Sequence, residues 1–189
     1  SIILKNILYK ELKIDCEIAC LDKFSKKLLL DKRLPLVNFL GINKNPIINY
    51  FNFSKWLNRN IKKYDLIIYD GIWQFTNYAL WKIAKKFNVK YHIAVHGMLD
   101  PWFNRDIIKY LKKLIFWWLI QYRVLRDAKS VIFNTKEEAR LASKASFFPY
   151  KLKNNIISHP VEGNPYINKI KNNSFLKKFP KLRKKRILL

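Results

Sequence analysis

Short runs rich in β-branched residues alternate with longer amphipathic stretches along most of this chain, and that alternation restricts the fold more than any other feature. The runs at 16–21, 65–69, 91–95, 130–134 and 155–158 read as strands. Between them apolar residues recur at helical spacing. Ala79, Leu80, Ile83, Ala84 and Phe87 form one stripe of a helix over 76–87, and Phe103, Ile107, Leu111, Leu114, Trp118 and Leu125 carry another to about Arg126. Residues 2–13, with Ile3, Leu4, Ile7, Leu8 and Leu12 on one face, and residues 50–62 read as further helices. Thr135 and Glu138 have the spacing of a capping box that opens a helix at 136–146. Residues 22–49 are mixed, punctuated by Pro35, Gly41 and Pro46. Strands and helices in this order predict one parallel, Rossmann-like α/β sheet with right-handed crossovers and helices on both faces.

The run Tyr91–Val95 ends in His96-Gly97-Met98-Leu99-Asp100-Pro101-Trp102. A glycine and then a proline stop the strand, so a titratable imidazole stands at the carboxyl edge of the sheet, where open α/β sheets put their chemistry. The preceding strand ends similarly, in Asp70-Gly71-Ile72-Trp73. Gly97 and Gly71 can take positive φ and let backbone approach a ligand, and they serve equally as turn residues without one. Asp100 ahead of Pro101 has the pattern of a helix cap.

The remaining composition bounds the function. With 189 residues, half of them hydrophobic, the chain is long enough for one domain with a sizeable core. Its 38 basic and 13 acidic residues give a net charge of +25, which raises nucleic acid or an anionic membrane as partners. The lysines are spread over the whole length together with many Asn and Ile, a pattern that compositional bias of the coding sequence also yields. No zinc, helix-turn-helix or RRM signature accompanies them, so a basic nucleic-acid-binding module is the lesser alternative. Lys109, Lys112, Lys113 and Arg123 flank the aromatic run Phe116–Trp118, a combination suited to peripheral contact with an anionic membrane, with buried helix packing as the competing and stronger reading. The apolar run Leu114–Ile120 is too short to span one. Cys16 and Cys20 are four apart with no second pair, which fits reduced core cysteines and, with no signal peptide visible, a cytoplasmic chain. His92 lies inside a strand and His159 in a turn. No carboxylate or cysteine joins them and His96 at a metal-ligand spacing, so no metal site is expected. After Pro165 the composition shifts to Lys, Asn, Pro and isolated aromatics, which reads as a linker up to Arg186, and Ile187-Leu188-Leu189 reads as the start of a strand.

The two strand-end motifs, Asp70-Gly71-Ile72-Trp73 followed by His96-Gly97-Met98-Leu99-Asp100-Pro101-Trp102, resemble the N-terminal domain of glycosyltransferase family 4, a family of two-domain GT-B enzymes. The resemblance implies a retaining transferase that moves a hexose from a nucleotide-sugar donor to a glycan or lipid-linked acceptor in surface polysaccharide synthesis. It implies no cofactor or metal, and a cytoplasmic site, peripheral to the inner membrane. By the same resemblance His96 is the catalytic residue beside the donor sugar, and Gly97, Asp70, Gly71, Trp73 and Asp100 bind substrate, with Trp102 as a further stacking candidate. Core packing is the competing role for the tryptophans and capping for Asp100. Many relatives carry histidines at the first strand end, where this chain has Ile68 and Asp70. The family pattern makes residues 1–165 an acceptor-side domain that lacks its first strand and glycine-rich loop, leaving a gap in the middle of the sheet. It makes residues 166–189 a linker with the start of the donor-binding domain. The chain alone is then expected to transfer no sugar.

Overall fold

The computed structural model describes residues 13–21, 37–41, 43–104, 107–144, 152–158 and 179–180. The chain divides into two units, Ser1–His159 and Pro160–Leu189. The expected helix over 2–13, the turn at His159 and nearly all of the expected linker and final strand lie outside the described residues.

In the first unit, β1 (Ile18–Cys20) pairs in parallel with β2 (Val37–Phe39). Helix α1 (Pro46–Asn60) follows, then β3 (Leu66–Asp70), α2 (Phe75–Phe87) and β4 (Lys90–Ala94). A 3₁₀ turn (Pro101–Asn104) leads to α3 (Ile107–Phe116), which runs through a π-helical stretch (Trp117–Gln121) into α4 (Tyr122–Asp127). β5 (Ser130–Phe133), α5 (Lys136–Lys144) and β6 (Asn154–Ile156) complete the set. β3, β4, β5 and β6 lie side by side in that order, all parallel, with Ile68 opposite His92 and Ala94 opposite Ile132. The α/β class and the parallel sheet therefore agree with the sequence reading.

The structure adds detail to two expectations. The strand at 18–20 forms its own parallel pair with β2, a strand that the mixed composition of 22–49 concealed, so the strands divide into a two-stranded and a four-stranded parallel sheet, the division that a gap in the middle of one sheet leaves. A hydrogen bond of 2.6 Å from the Tyr64 hydroxyl to Glu17 Oε2 links the approaches to β3 and β1. Among the described residues, the helices pack on one face of the larger sheet. One face, carrying Tyr91, Ile93, Val131 and Phe133, is buried with side chains from α1, α2, the π stretch, α4 and α5. On the opposite face Leu66 and Ile68 remain 47% and 45% exposed. Fully buried side chains such as Leu57, Leu80, Ile93 and Trp117 anchor the covered face, each stabilising the fold by about 1.5–3 kcal/mol.

Helix boundaries follow local chemistry. Asn45 accepts a hydrogen bond from the Ile47 amide at 2.9 Å and Pro46 occupies the first turn, so α1 begins at this cap rather than at residue 50. α2 ends where Asn88 adopts a left-handed conformation, φ 55°. His92, on β4, places Nδ1 2.7 Å from Ser130 Oγ on β5, the inter-strand contact its position predicts.

The candidate site at the carboxyl edge of β3 and β4

β4 ends in a double turn. The Met98 amide donates to the Val95 carbonyl at 3.0 Å and the Asp100 amide to the Gly97 carbonyl at 2.9 Å. His96 and Gly97 are the central residues of the first turn, with φ of 46° and 73°, the positive pair of a type I′ geometry. Glycine takes this region freely. For histidine it costs about 1–2 kcal/mol, because Cβ crowds the following carbonyl. The conformation carries the imidazole to the neighbouring strand end, where Nε2 lies 3.3 Å from Asp70 Oδ1, the two side chains being 28% and 55% exposed.

A second loop interlocks with the first. Gly71, φ 92°, donates its amide to the Ala94 carbonyl at 2.8 Å and takes the Asn77 Nδ2 amide on its own carbonyl at 3.2 Å. A Cβ at this position would sit 3.5 Å from Met98 Cε. Met98 Sδ accepts the Ile72 amide at 3.5 Å, and the Met98 carbonyl accepts Trp73 Nε1–H at 3.2 Å. Trp73 is itself left-handed, φ 67°, and its amide donates to the buried Gln121 Oε1 at 2.9 Å. Gln121 and Trp117, four apart and both fully buried, lie on the inward side of the π stretch, and from there the Gln121 side chain reaches this loop. The Trp73 ring packs against Phe116 and Trp117, with the Lys113 ammonium 5.4 Å from its centre. Burial pushes the Lys113 amine below its ordinary value.

A third element braces both strand ends from α5. Glu138 accepts the Gly97 amide on Oε1 at 2.6 Å and the Asn134 amide on Oε2 at 2.7 Å, while its own amide donates to Thr135 Oγ1 at 3.0 Å. One carboxylate thus fixes the loops after β4 and β5 through two charge-assisted hydrogen bonds. Asp100 closes the turn by accepting the Trp102 amide on Oδ1 at 2.8 Å, which caps the 3₁₀ turn.

The structure therefore brings His96, Gly97, Asp70 and Gly71 together at one sheet edge. Trp73 is a brace between that edge and the π stretch, and Asp100 acts as a cap. Glu138, Gln121, Asn77 and Met98 position the site. Of these, Met98 belongs to the strand-end motif and Glu138 left a signal as the capping partner of Thr135, although the amides it holds differ from those of a simple capping box. A carboxylate only accepts hydrogen bonds, so the His96 ring directs Nε2–H to Asp70. Such a pair can hydrogen-bond a hydroxyl or take up its proton. Among the described residues no group of three or more His, Cys, Asp or Glu side chains gathers as metal ligands.

These elements define a Rossmann-like α/β domain of the kind that forms one half of a GT-B architecture, with its candidate site at the carboxyl edge of parallel strands. The fold is similar to a crystal structure of a protein from Listeria monocytogenes described as a UDP-N-acetylglucosamine 2-epimerase, at 13% sequence identity and a TM-score of 0.51. The match covers 76% of this chain and 38% of the Listeria protein, so the chain spans well under half of that relative. No family model and no curated protein sequence matches the chain.

Proposed function

We propose that this chain is the acceptor-side half of a retaining glycosyltransferase that moves a sugar from a nucleotide-sugar donor to a glycan or lipid-linked acceptor. The observation that carries the reading is the strained turn that delivers the His96 imidazole to Asp70 at the carboxyl edge of adjacent parallel strands. A non-glycine residue held left-handed at a sheet edge is the kind of strain that functional sites retain. Likeness in fold to a protein described as a nucleotide-sugar epimerase accords with a nucleotide-sugar donor. In the reaction the acceptor oxygen bonds the anomeric carbon, the bond to the nucleoside diphosphate breaks with its electron pair on the leaving oxygen, and the acceptor proton passes to a base. His96 hydrogen-bonds the sugar and assists that proton transfer, Asp70 orients the imidazole, and Gly71 and Gly97 keep the floor of the site open. A facing domain would hold the nucleotide, without a metal.

The test uses the complete polypeptide that contains this chain, incubated with labelled nucleotide sugars and a bacterial lipid-linked glycan extract. Label should pass to the acceptor, and His96→Ala should lower the rate by about 10²–10⁴-fold with an unchanged melting temperature. A fully active His96→Ala enzyme would remove the catalytic assignment. Release of an epimerised nucleotide sugar with no transfer would replace the transferase with an epimerase.

A further inference from the structure

Met98, the one methionine of the chain, ties together the two loops that carry the candidate site. Its amide closes the turn centred on His96 and Gly97 by donating to the Val95 carbonyl at 3.0 Å. Its side chain belongs to the other loop. The sulfur accepts the Ile72 amide at 3.5 Å, and the terminal methyl carbon stands 3.5 Å from where a Cβ on Gly71 would begin, so the thioether lies against the bare face of that glycine. Met98 is partly exposed, which leaves the sulfur within reach of small solutes. A thioether is a weak acceptor with two lone pairs, and the Ile72 amide occupies one of them.

We propose that Met98 is a site of reversible oxidation by hydrogen peroxide, and that its sulfoxide parts the two loops and separates His96 from Asp70. In the step a sulfur lone pair forms a bond to one peroxide oxygen while the O–O bond breaks. The second oxygen leaves with that electron pair and takes the proton of the first to become water, so the sulfide loses two electrons and the peroxide gains two. The new oxygen projects about 1.5 Å from sulfur and turns a flexible apolar group polar. On the lone pair that faces Ile72 it would stand about 2 Å from the amide nitrogen, and the loop must retreat by about 1 Å to reach an ordinary N–H···O length. On the other lone pair it sets a polar atom among the core residues against which Met98 packs. Asp70 precedes Ile72 by two residues and moves with that loop, whereas His96 precedes Met98 by two and stays with the turn. Their 3.3 Å contact therefore lengthens. Methionine sulfoxide reductases return the thioether and with it the parental site. The inference rests on the transferase reading only for what the switch would control.

The whole chain is treated with hydrogen peroxide and then digested, and mass spectrometry should find one added oxygen on the peptide that contains Met98. In the oxidised chain, hydrogen exchange at the Ile72 amide should accelerate by roughly tenfold or more, while Leu57 in α1 keeps its parental rate. The His96 ring resonances should shift with sulfoxide content, and those of His92, paired with Ser130, should not. Reductases A and B, one for each sulfoxide epimer, should reverse both changes. Met98→Leu, close in volume and still carrying Cys16 and Cys20, should show neither change under peroxide. Changes that persist in Met98→Leu would assign the effect to other side chains and overturn the proposal. So would a sulfoxide at Met98 with parental exchange at Ile72 and unmoved His96 resonances, which would make the oxidation a surface event without consequence. Exchange and resonances are read without sugar transfer, so a complete polypeptide that transfers no sugar would overturn the transferase reading and not this one.

Discussion

The left-handed turn at His96 separates strain from catalysis in a way that two substitutions can measure. His96→Gly and His96→Ala both remove the imidazole and its contact with Asp70, so that loss cancels when the two variants are compared. What remains is the backbone term. Glycine relieves about 1–2 kcal/mol of left-handed strain that alanine keeps. It gives back roughly 0.4–1 kcal/mol through the greater freedom of the unfolded chain. The Gly variant should therefore be more stable than the Ala variant by about 1 kcal/mol, or roughly 2–4 °C in melting temperature for a domain of this size. Each variant should also lie within about 1 kcal/mol of the parent, because an exposed pair such as His96 and Asp70 contributes little. Thermal and urea unfolding followed by circular dichroism give the stabilities, and the transfer assay gives the rates, which should fall equally in both. An Ala variant as stable as the Gly variant would show that the turn holds no strain. A loss above roughly 2 kcal/mol in both would make His96 a packing residue, as large core truncations are.

Gly71→Ala should destabilise the domain by about 1–3 kcal/mol, since φ 92° is strained for any Cβ whatever space Met98 leaves, and urea unfolding checks it. Glu138→Gln should lose about 1.5–3 kcal/mol because a charged acceptor of two backbone amides becomes neutral. Hydrogen exchange at Gly97 and Asn134 should accelerate together, and acceleration at Asn134 alone would show that the Gly97 contact is absent. His92 is held below its usual imidazole value by burial and then by the Lys129 charge, so the folded state prefers it neutral. Its contribution is complete above pH 6.5 and is lost as pH falls from there through the lowered folded value, since the unfolded chain binds the proton more readily. A His92→Gln variant should flatten that part of the stability profile, and an unchanged slope would assign the pH dependence elsewhere.

The parts of the fold that the sequence makes legible are those whose signal is local. β4 announces itself by Tyr91–Val95, and its end by a histidine, a glycine and a proline in short succession. β2 spans only three residues, too few for an alternation to register against the prolines and glycine around it. Pairing is less local still: nothing in Ile18–Cys20 says that its neighbour is Val37–Phe39 rather than Leu66–Asp70. At the site, His96, Gly97, Asp70 and Gly71 could be named because the two strand-end motifs resemble those of a known family and the ends of neighbouring parallel strands converge. Gln121 could not. Its partner, the Trp73 amide, lies far away in the chain, and an amide side chain among the apolar residues of a helix gives no sign of which backbone group it reaches. Glu138 was visible as a helix-start residue, but which amides its oxygens reach is settled by the docking of α5 against the loop after β4.

The π turn between α3 and α4 also bears on how such a domain evolves. Before it Leu111 and Ile115 are exposed, and after it Leu125 is buried, so Leu111 and Leu125 do not share the one stripe read from the sequence. A helix that takes in one extra residue without lengthening its path shifts the phase of everything on one side relative to the other by about 100°. Deleting a single residue between Trp117 and Gln121 would rotate the α3 half against the α4 half. Ile115 and Leu111 would swing towards positions now held by inward residues, and Gln121 would lose its line to the Trp73 amide. Hydropathy and net charge would hardly change. One codon gained or lost in this helix is thus enough to exchange an outward apolar face for an inward one, so related chains can differ in what they dock against while composition alone gives no sign of it.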